Sequence, residues 1–354
     1  MAEPIIHSVR EHHGQIVAIL TTWGMRETDA VTVADVLTYA DLSGIDSHGF
    51  STLPSYDILR RNGTLNLTAV PRVERETPVS AVIDADSGLG HPAALFSIDL
   101  AMEKARKSGM AVVVVRNSGH YGACGFYTKR ATEHGFVAMS STTTPGVSVA
   151  PAGGAVARLG TDPWTMAAPG APQKPFLLDM ATTTVATGRV RNKFIEKQSV
   201  PQGWINNKLG QPTTDPADFM ERGGYHTPLG GTPDGSNHKG SGLAAMARIM
   251  AAGLSGAPML LDKTTPRREI GHFFWVLDPG LFRDPDNFKG AVADFCDSLR
   301  ATPPADPSKP VMVAGDPERK IAAIRERDGI PVAPGLFARI KKLAEDSGAP
   351  WLLG

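Results

Sequence analysis

Residues Met110–Val115 read Met-Ala-Val-Val-Val-Val, and this run constrains the fold more than any other segment. An unbroken apolar, β-branched stretch predicts a strand buried on both faces, because no polar side chain alternates towards solvent. Such a strand needs covering layers above and below it. The chain supplies them, with helical spacing over 93–107 before the run and 123–133 after it. Ala81–Asp84, Val137–Ser140, Phe176–Asp179 and Phe273–Leu277 read as further strands, with helices at about 183–196, Lys239–Leu254 and 288–300. Strands alternating with helices predict an α/β fold with a parallel or mixed sheet.

Helical spacing also runs over 8–23, over 31–42 and through Leu53, Tyr56 and Leu59, and returns at 317–327 and 334–346. The expected organisation is therefore an N-terminal helical segment at 1–70, an α/β body at 71–290, and a C-terminal helical segment at 291–354 packed with the first. The stretches 141–175 and 198–238 are rich in Gly, Pro, Thr or Asn and read as long loops, which in a compact enzyme usually carry function.

Charge narrows the partners. Thirty-six acidic and 36 basic residues balance, so no basic surplus points to nucleic acid, and no basic amphipathic segment points to a membrane surface. No apolar run approaches the length of a membrane-spanning helix, and residues 1–25 do not read as a signal peptide. The two cysteines, Cys124 and Cys296, form neither a disulfide framework nor a metal-type spacing, so a reducing cytoplasm is the expected setting.

Gly88-Leu89-Gly90-His91-Pro92-Ala93 matches the G-x-G-x-x-A loop of dinucleotide folds, between a strand and a helix. The rest of that fingerprint is missing. It needs a second strand ending in an acid, whereas the valine run ends in Arg116, a residue suited at best to a 2′-phosphate. The better reading is a glycine turn with Pro92 at the helix start.

Two histidines carry the chemistry. His48 stands in Asp46-Ser47-His48-Gly49 and His120 in Asn117-Ser118-Gly119-His120-Tyr121-Gly122, each among small residues at the end of a regular element. Imidazole both takes and gives protons near neutrality, so either position suits general acid–base catalysis. Each could equally bond backbone in a tight turn.

The residues accumulate into a pattern of seven ordered blocks over about residues 5–335. They are Gly44–Gly49 with Leu53, Tyr56 and Gly63; Asn117–Gly122; Pro151–Gly154 with Gly160–Pro163; Asp179–Thr183; Pro201–Trp204; His238–Leu243; and Gly315–Glu318. Together they resemble the malate/L-lactate dehydrogenase family, which is unrelated to the Rossmann-type enzymes and includes ureidoglycolate, sulfolactate, diketogulonate and cyclic imino-acid oxidoreductases. The resemblance implies a non-Rossmann NAD(P)-binding mixed-sheet fold, a homodimer with its active site near the subunit contact, and a small carboxylate substrate. It implies reversible hydride transfer between NAD or NADP and a 2-hydroxy or 2-oxo acid, or alternatively reduction of a cyclic 2-imino carboxylate.

The same resemblance assigns roles. His48 is the expected acid/base, oriented by Ser47, with His120 as its rival and a second contact to cofactor. Asp179 ends a buried strand, where a carboxylate needs a partner. It is expected beside the nicotinamide or an active-site imidazole, unless it caps the following helix. Cofactor contacts are expected from Lys174, Asp179, Met180, Ala181, Thr182, Lys239, Gly240, Gly315 and Asp316. Tyr56 is expected at the substrate. Many family members carry an arginine four residues after the histidine, as a bidentate carboxylate clamp. Here Thr52 fills that position, so Arg60, Arg61 or Lys129 must supply the cation, or the substrate differs. Asp162 and Asn207 also depart from the family pattern. A metal-dependent hydrolase built on His12, His13, His48 or His120 lacks the spacing that metal sites need, and no metal is expected.

Overall fold

The computed structural model describes residues 3–144, 146–260 and 269–354. In chain order the elements begin with β1 (Ile5–His7), α1 (Val9–Thr22), α2 (Glu27–Leu42), α3 (Leu53–Arg61), β2 (Arg72–Thr77), β3 (Ser80–Asp84), α4 (Gly90–Ser108) and β4 (Met110–Ser118). Next come α5 (Gly125–Glu133), β5 (Val137–Thr142), β6 (Trp164–Ala171), β7 (Lys174–Met180), α6 (Thr187–Ile195), β8 (Ile205–Asn206) and β9 (Pro212–Thr213). The remainder is α7 (Pro216–Met220), β10 (Tyr225–His226), α8 (His238–Arg248), β11 (Ile270–Leu277), α9 (Pro285–Arg300), α10 (Asp316–Asp328), β12 (Ile330–Val332) and α11 (Pro334–Ser347).

The valine run is the middle of β4, and β4 lies inside a seven-stranded sheet ordered β2-β3-β4-β11-β5-β6-β7. Its alternate residues face two cores. Val113 and Val115 pack with Ala94, Ile98 and Ala101 of α4 and Tyr127 of α5, whereas Val114 packs with Phe273, Trp164 and the Ala247–Ala251 stretch on the other face. The sheet is mixed. Within it β3 and β4 pair in parallel and the other neighbours pair antiparallel.

Several elements differ from their sequence reading. Trp164–Ala171 is strand β6, inside the stretch read as loop, and the register shift between Ala168 and Ala171 accommodates Pro169 and Gly170 as a bulge. Strand β2 is exposed along its whole length at the sheet edge, so it carries no apolar signal. Helix α6 begins at Thr187, because Thr182–Thr184 is drawn off into contacts with Thr161, Thr227 and Pro228. Helix α8 closes at Arg248 and continues as a single π-helical turn, Ile249–Gly253.

The chain's two helical segments share a core of Ile16, Ile19, Val33, Leu37, Leu53, Ile340 and Leu343. The pairing of β1 with β12 binds them further, and the Gln15 amide does so too, donating to Pro350 O at 3.0 Å while accepting from Leu352 N–H at 2.7 Å. Helix α1 starts as a capping box, with Ser8 and Glu11 satisfying each other's backbone donors.

Candidate active site

The loop carrying His48 is fixed by a buried carboxylate. Asp41, near the end of α2, accepts the Phe50 N–H at 2.7 Å and the His12 Nε2–H at 2.8 Å on one oxygen. His12 in turn hydrogen-bonds His7 at 2.9 Å. A methyl on Gly49 would stand 2.0 Å from the Asp41 carboxylate, so the residue after His48 must lack a side chain. From the far end of the chain, Arg325 of α10 donates to Asp41 O and to the Asp46 carboxylate. The loop is thus clamped on two sides, with His48 half-buried and Ser47 exposed between them.

His48 and His120 come together. Their ring centroids lie 5.5 Å apart at an interplanar angle of 31°. Ser47 Oγ lies 2.8 Å from His48 Nδ1, and the Tyr56 hydroxyl lies 2.6 Å from His120 Nδ1. Two further histidines, to which no sequence motif assigned a catalytic role, stand behind this pair. His91 Nε2 is 3.5 Å from the Tyr56 hydroxyl, with its ring edge-on to His120 at 6.1 Å. His272 is held between Thr142 and Ser118, at 2.7 and 2.8 Å, and stacks on Tyr121 at 4.4 Å. His272 precedes an aromatic strand run and His91 sits in the glycine turn, so each was hidden in a segment with a simpler explanation.

Burial governs their charge. It lowers the His48 pKa below the ordinary value and pushes His120 down to about 3, with His48 and His272 adding to the effect on His120. His272 is likewise pushed to about 3 by burial. These imidazoles are neutral at pH 7. Burial pushes the Tyr56 hydroxyl upward, so it stays protonated.

The glycine turn is a packing device. A methyl at Gly90 would come within 2.4 Å of Gly119 O and 2.8 Å of Tyr121 Cβ, so the bare backbone lets the start of α4 lie against the His120 loop. The Gly90 N–H donates to His120 O at 2.9 Å. Arg116, the residue considered for a 2′-phosphate, is paired bidentately with Glu74 on β2.

Thr52 stands one helical turn before Tyr56, and its hydroxyl donates to Gly49 O at 2.7 Å. The cations considered as its replacement are engaged locally. Arg60 pairs with Asp57 and lies over the Trp23 ring, Arg61 pairs with Asp57, and Lys129 pairs with Glu133. Asp162 forms a buried ion pair with Arg248 at 2.8 Å, and Asn207 closes its own turn by accepting from Leu209 and Gln211.

The segments expected at the cofactor also adjoin one another. Leu177 N–H of β7 donates to Ala314 O, and Arg319 donates to Pro175 O, which sets Lys174–Thr182 beside Gly315 and Asp316. Leu229 N–H donates to Thr182 O, and Gly240 packs so closely on Leu229 that a methyl there would meet its nitrogen at 2.3 Å. Met180 and Ala181 lie between these contacts. Lys174 and Lys239 are exposed. Asp316 is saturated by Arg300, Arg319 and the Val313 N–H, which together hold its carboxyl well below the usual range against the cost of burial. Asp179 accepts the Gly125 N–H at 2.7 Å, so its partner is the start of α5 and not the helix that follows it. Burial pushes its carboxyl up to about 6.

Among the described residues, no group of three or more His, Cys, Asp or Glu side chains is arranged to hold a metal ion. His12 serves Asp41, and His13 pairs with Asp35 at the surface.

Known proteins similar to this chain identify its family. The family profile described as malate/L-lactate dehydrogenase matches residues 8–341. The chain is 35% identical to the malate dehydrogenase of Pyrococcus horikoshii over 341 residues, covering 95% of this chain and 94% of that one. Among solved structures, malate dehydrogenase from Entamoeba histolytica superposes with a TM-score of 0.93 at 30% identity, over 98% of this chain and 99% of that one. The delta1-piperideine-2-carboxylate reductase of Pseudomonas syringae pvar. tomato superposes at 0.83 with 27% identity, over 96% and 100% of the two chains.

Proposed function

The chain belongs to the malate/L-lactate dehydrogenase family, and from that premise we propose that it is an NAD(P)-dependent oxidoreductase of 2-hydroxy and 2-oxo carboxylic acids. The observation that carries this reading is the facing pair His48 and His120, held 5.5 Å apart by Asp41 on one side and Tyr56 on the other. The bound nicotinamide would supply or accept the hydride. His48, oriented by Ser47, takes the hydroxyl proton in oxidation and returns it in reduction. Its lowered pKa makes the neutral ring, the proton acceptor, its resting form at pH 7. His120 meets the same oxygen from the other side.

The residues fit a dinucleotide in the chemistry of one donor set. Helix α8 starts without a side-chain cap, because Asn237 turns its amide to Gly231 O, and Lys239 stands exposed in the first turn. An uncapped helix N-terminus with a lysine suits a pyrophosphate. Lys174, Asp179, Met180, Ala181, Thr182, Gly240, Gly315 and Asp316 would complete that site. The choice between NAD and NADP, a homodimer with its site near the subunit contact, and a cytoplasmic setting belong to the same proposal.

A second reading is favoured by one structural neighbour. Likeness to a piperideine-carboxylate reductase supports reduction of a cyclic 2-imino carboxylate, which fits the same proton and hydride geometry. One experiment decides between them. NADH and NADPH oxidation is measured against a panel of 2-oxo acids and cyclic imino acids, with His48→Ala as the control. The variant should lose at least ~100-fold in turnover. Undiminished turnover transfers the acid/base role to His120, and no turnover with either cofactor overturns the proposal.

A further inference from the structure

His91 is fully buried, and its Nδ1 has no hydrogen-bond partner. That orphan atom decides its tautomer. A buried N–H left unpaired is rarer and costlier than an acceptor left unpaired, so the proton sits on Nε2. His91 is also the second residue of α4, where the positive end of the helix dipole opposes an imidazolium. Its Nε2–H points to the Tyr56 hydroxyl oxygen, 3.5 Å away. Gly122 leaves room for this approach, since a methyl there would stand 3.1 Å from His91 Nε2 and 2.5 Å from Val36.

The order of the remaining protons follows. Tyr56 oxygen receives the His91 N–H, so the tyrosine's own proton goes to its shorter contact, His120 Nδ1 at 2.6 Å. His120 then carries its proton on Nε2, the nitrogen that makes no hydrogen bond among the described residues, in a ring that is half-buried beside His48.

We infer that His91 is a positioning residue that acts through Tyr56 to hold His120 as the Nε2–H tautomer. His120 thereby presents a fixed N–H to the substrate oxygen, and proton transfer is left to His48. The identity of that oxygen rests on the proposed oxidoreductase reading; the tautomer does not. The glycine turn that imitates a nucleotide loop thus serves to deliver His91. The His91 contact is long and the Tyr56 contact short, so the two should differ in weight.

The test uses the whole protein labelled with 15N-histidine, read by long-range proton–nitrogen correlation without ligand. The wild type should show His120 and His91 each protonated at Nε2. Tyr56→Phe should give a mixture of His120 tautomers and lower kcat by about 10- to 100-fold. His91→Phe should shift the same His120 signals partway and lower kcat by about 3- to 10-fold with little change in KM, the scale of one weak hydrogen bond. His91→Gln, whose amide can donate from a similar position, should restore both readouts. His120 protonated at Nδ1 in the wild type would overturn the inference, as would His91→Phe that leaves the His120 signals and kcat alone. If His91→Phe does not fold, the wild-type and Tyr56→Phe spectra decide. Absence of any hydride-transfer activity would sink the functional reading, and the spectra would still judge the tautomer.

Discussion

Gly49→Ala gives a stringent test of how the catalytic loop is held. The added methyl would stand 2.0 to 2.2 Å from the Asp41 carboxyl atoms, so the carboxylate must move. It then loses the Phe50 N–H and the His12 N–H, both donated to the same oxygen. Each hydrogen bond to a charged group contributes about 1.5–3 kcal/mol, so the loss of two should cost about 3–6 kcal/mol. For a chain of this length that is a fall of about 5–10 °C in Tm, measured by circular dichroism. Asp41→Ala should cost a similar amount, by leaving the same donors unpaired in the interior. The decisive measurement is the double variant. Once Asp41 is alanine the methyl at residue 49 has nothing to displace, so Gly49→Ala should cost less than about 1 kcal/mol in that background. Equal cost in both backgrounds would refute the idea that the glycine exists to admit the carboxylate.

Acid should weaken the fold early. Burial lowers His7 and His226 to about 4 and His120 and His272 to about 3, all from an unfolded value near 6.5. Because the native state holds them neutral, their contribution is full above pH 6.5 and is lost as pH falls towards 4 and 3. Urea midpoints that stay flat from pH 7.5 to 4.5 would contradict this. Asp179 has the opposite sign, since its carboxyl is raised to about 6 and its ionisation opposes folding above that pH. Asp179→Asn should raise stability at pH 7.5 by about 1–3 kcal/mol, discounted for half-burial, and leave it unchanged at pH 3.5; a loss at pH 7.5 would speak against the desolvation argument. Thr52→Arg should raise kcat/KM for simple 2-oxo acids by about tenfold, the scale of one charge-assisted contact, and no gain would mean that the carboxylate is held elsewhere.

What the sequence disclosed depended on whether a signal was local. The valine run, its covering helices and the His48 and His120 loops were legible because periodicity and short motifs carry them. Strand β6 was hidden by Pro169 and Gly170, which local reasoning assigns to loops and the sheet absorbs as a bulge. Strand β2 has alternating charges and no buried face, so nothing but its neighbour marks it. His91, His272 and Asp41 are invisible for a different reason. Each acts through residues that only the folded chain brings near, as His91 does through Tyr56, 35 positions away. The departure at Thr52 was readable as a substitution, but the local engagement of Arg60, Arg61 and Lys129 was not.

The contacts of Arg325 carry a consequence for the order in which the molecule matures. They join residues 279 and 284 positions apart, so the loop bearing His48 lacks one of its two clamps until α10 has left the ribosome. Contacts of such separation form late, after the sheet and the first helices have collapsed. A nascent or truncated chain would therefore hold both histidines yet lack their fixed arrangement. The arrangement of the His48 loop is thus completed only once α10 has been made and has packed against it.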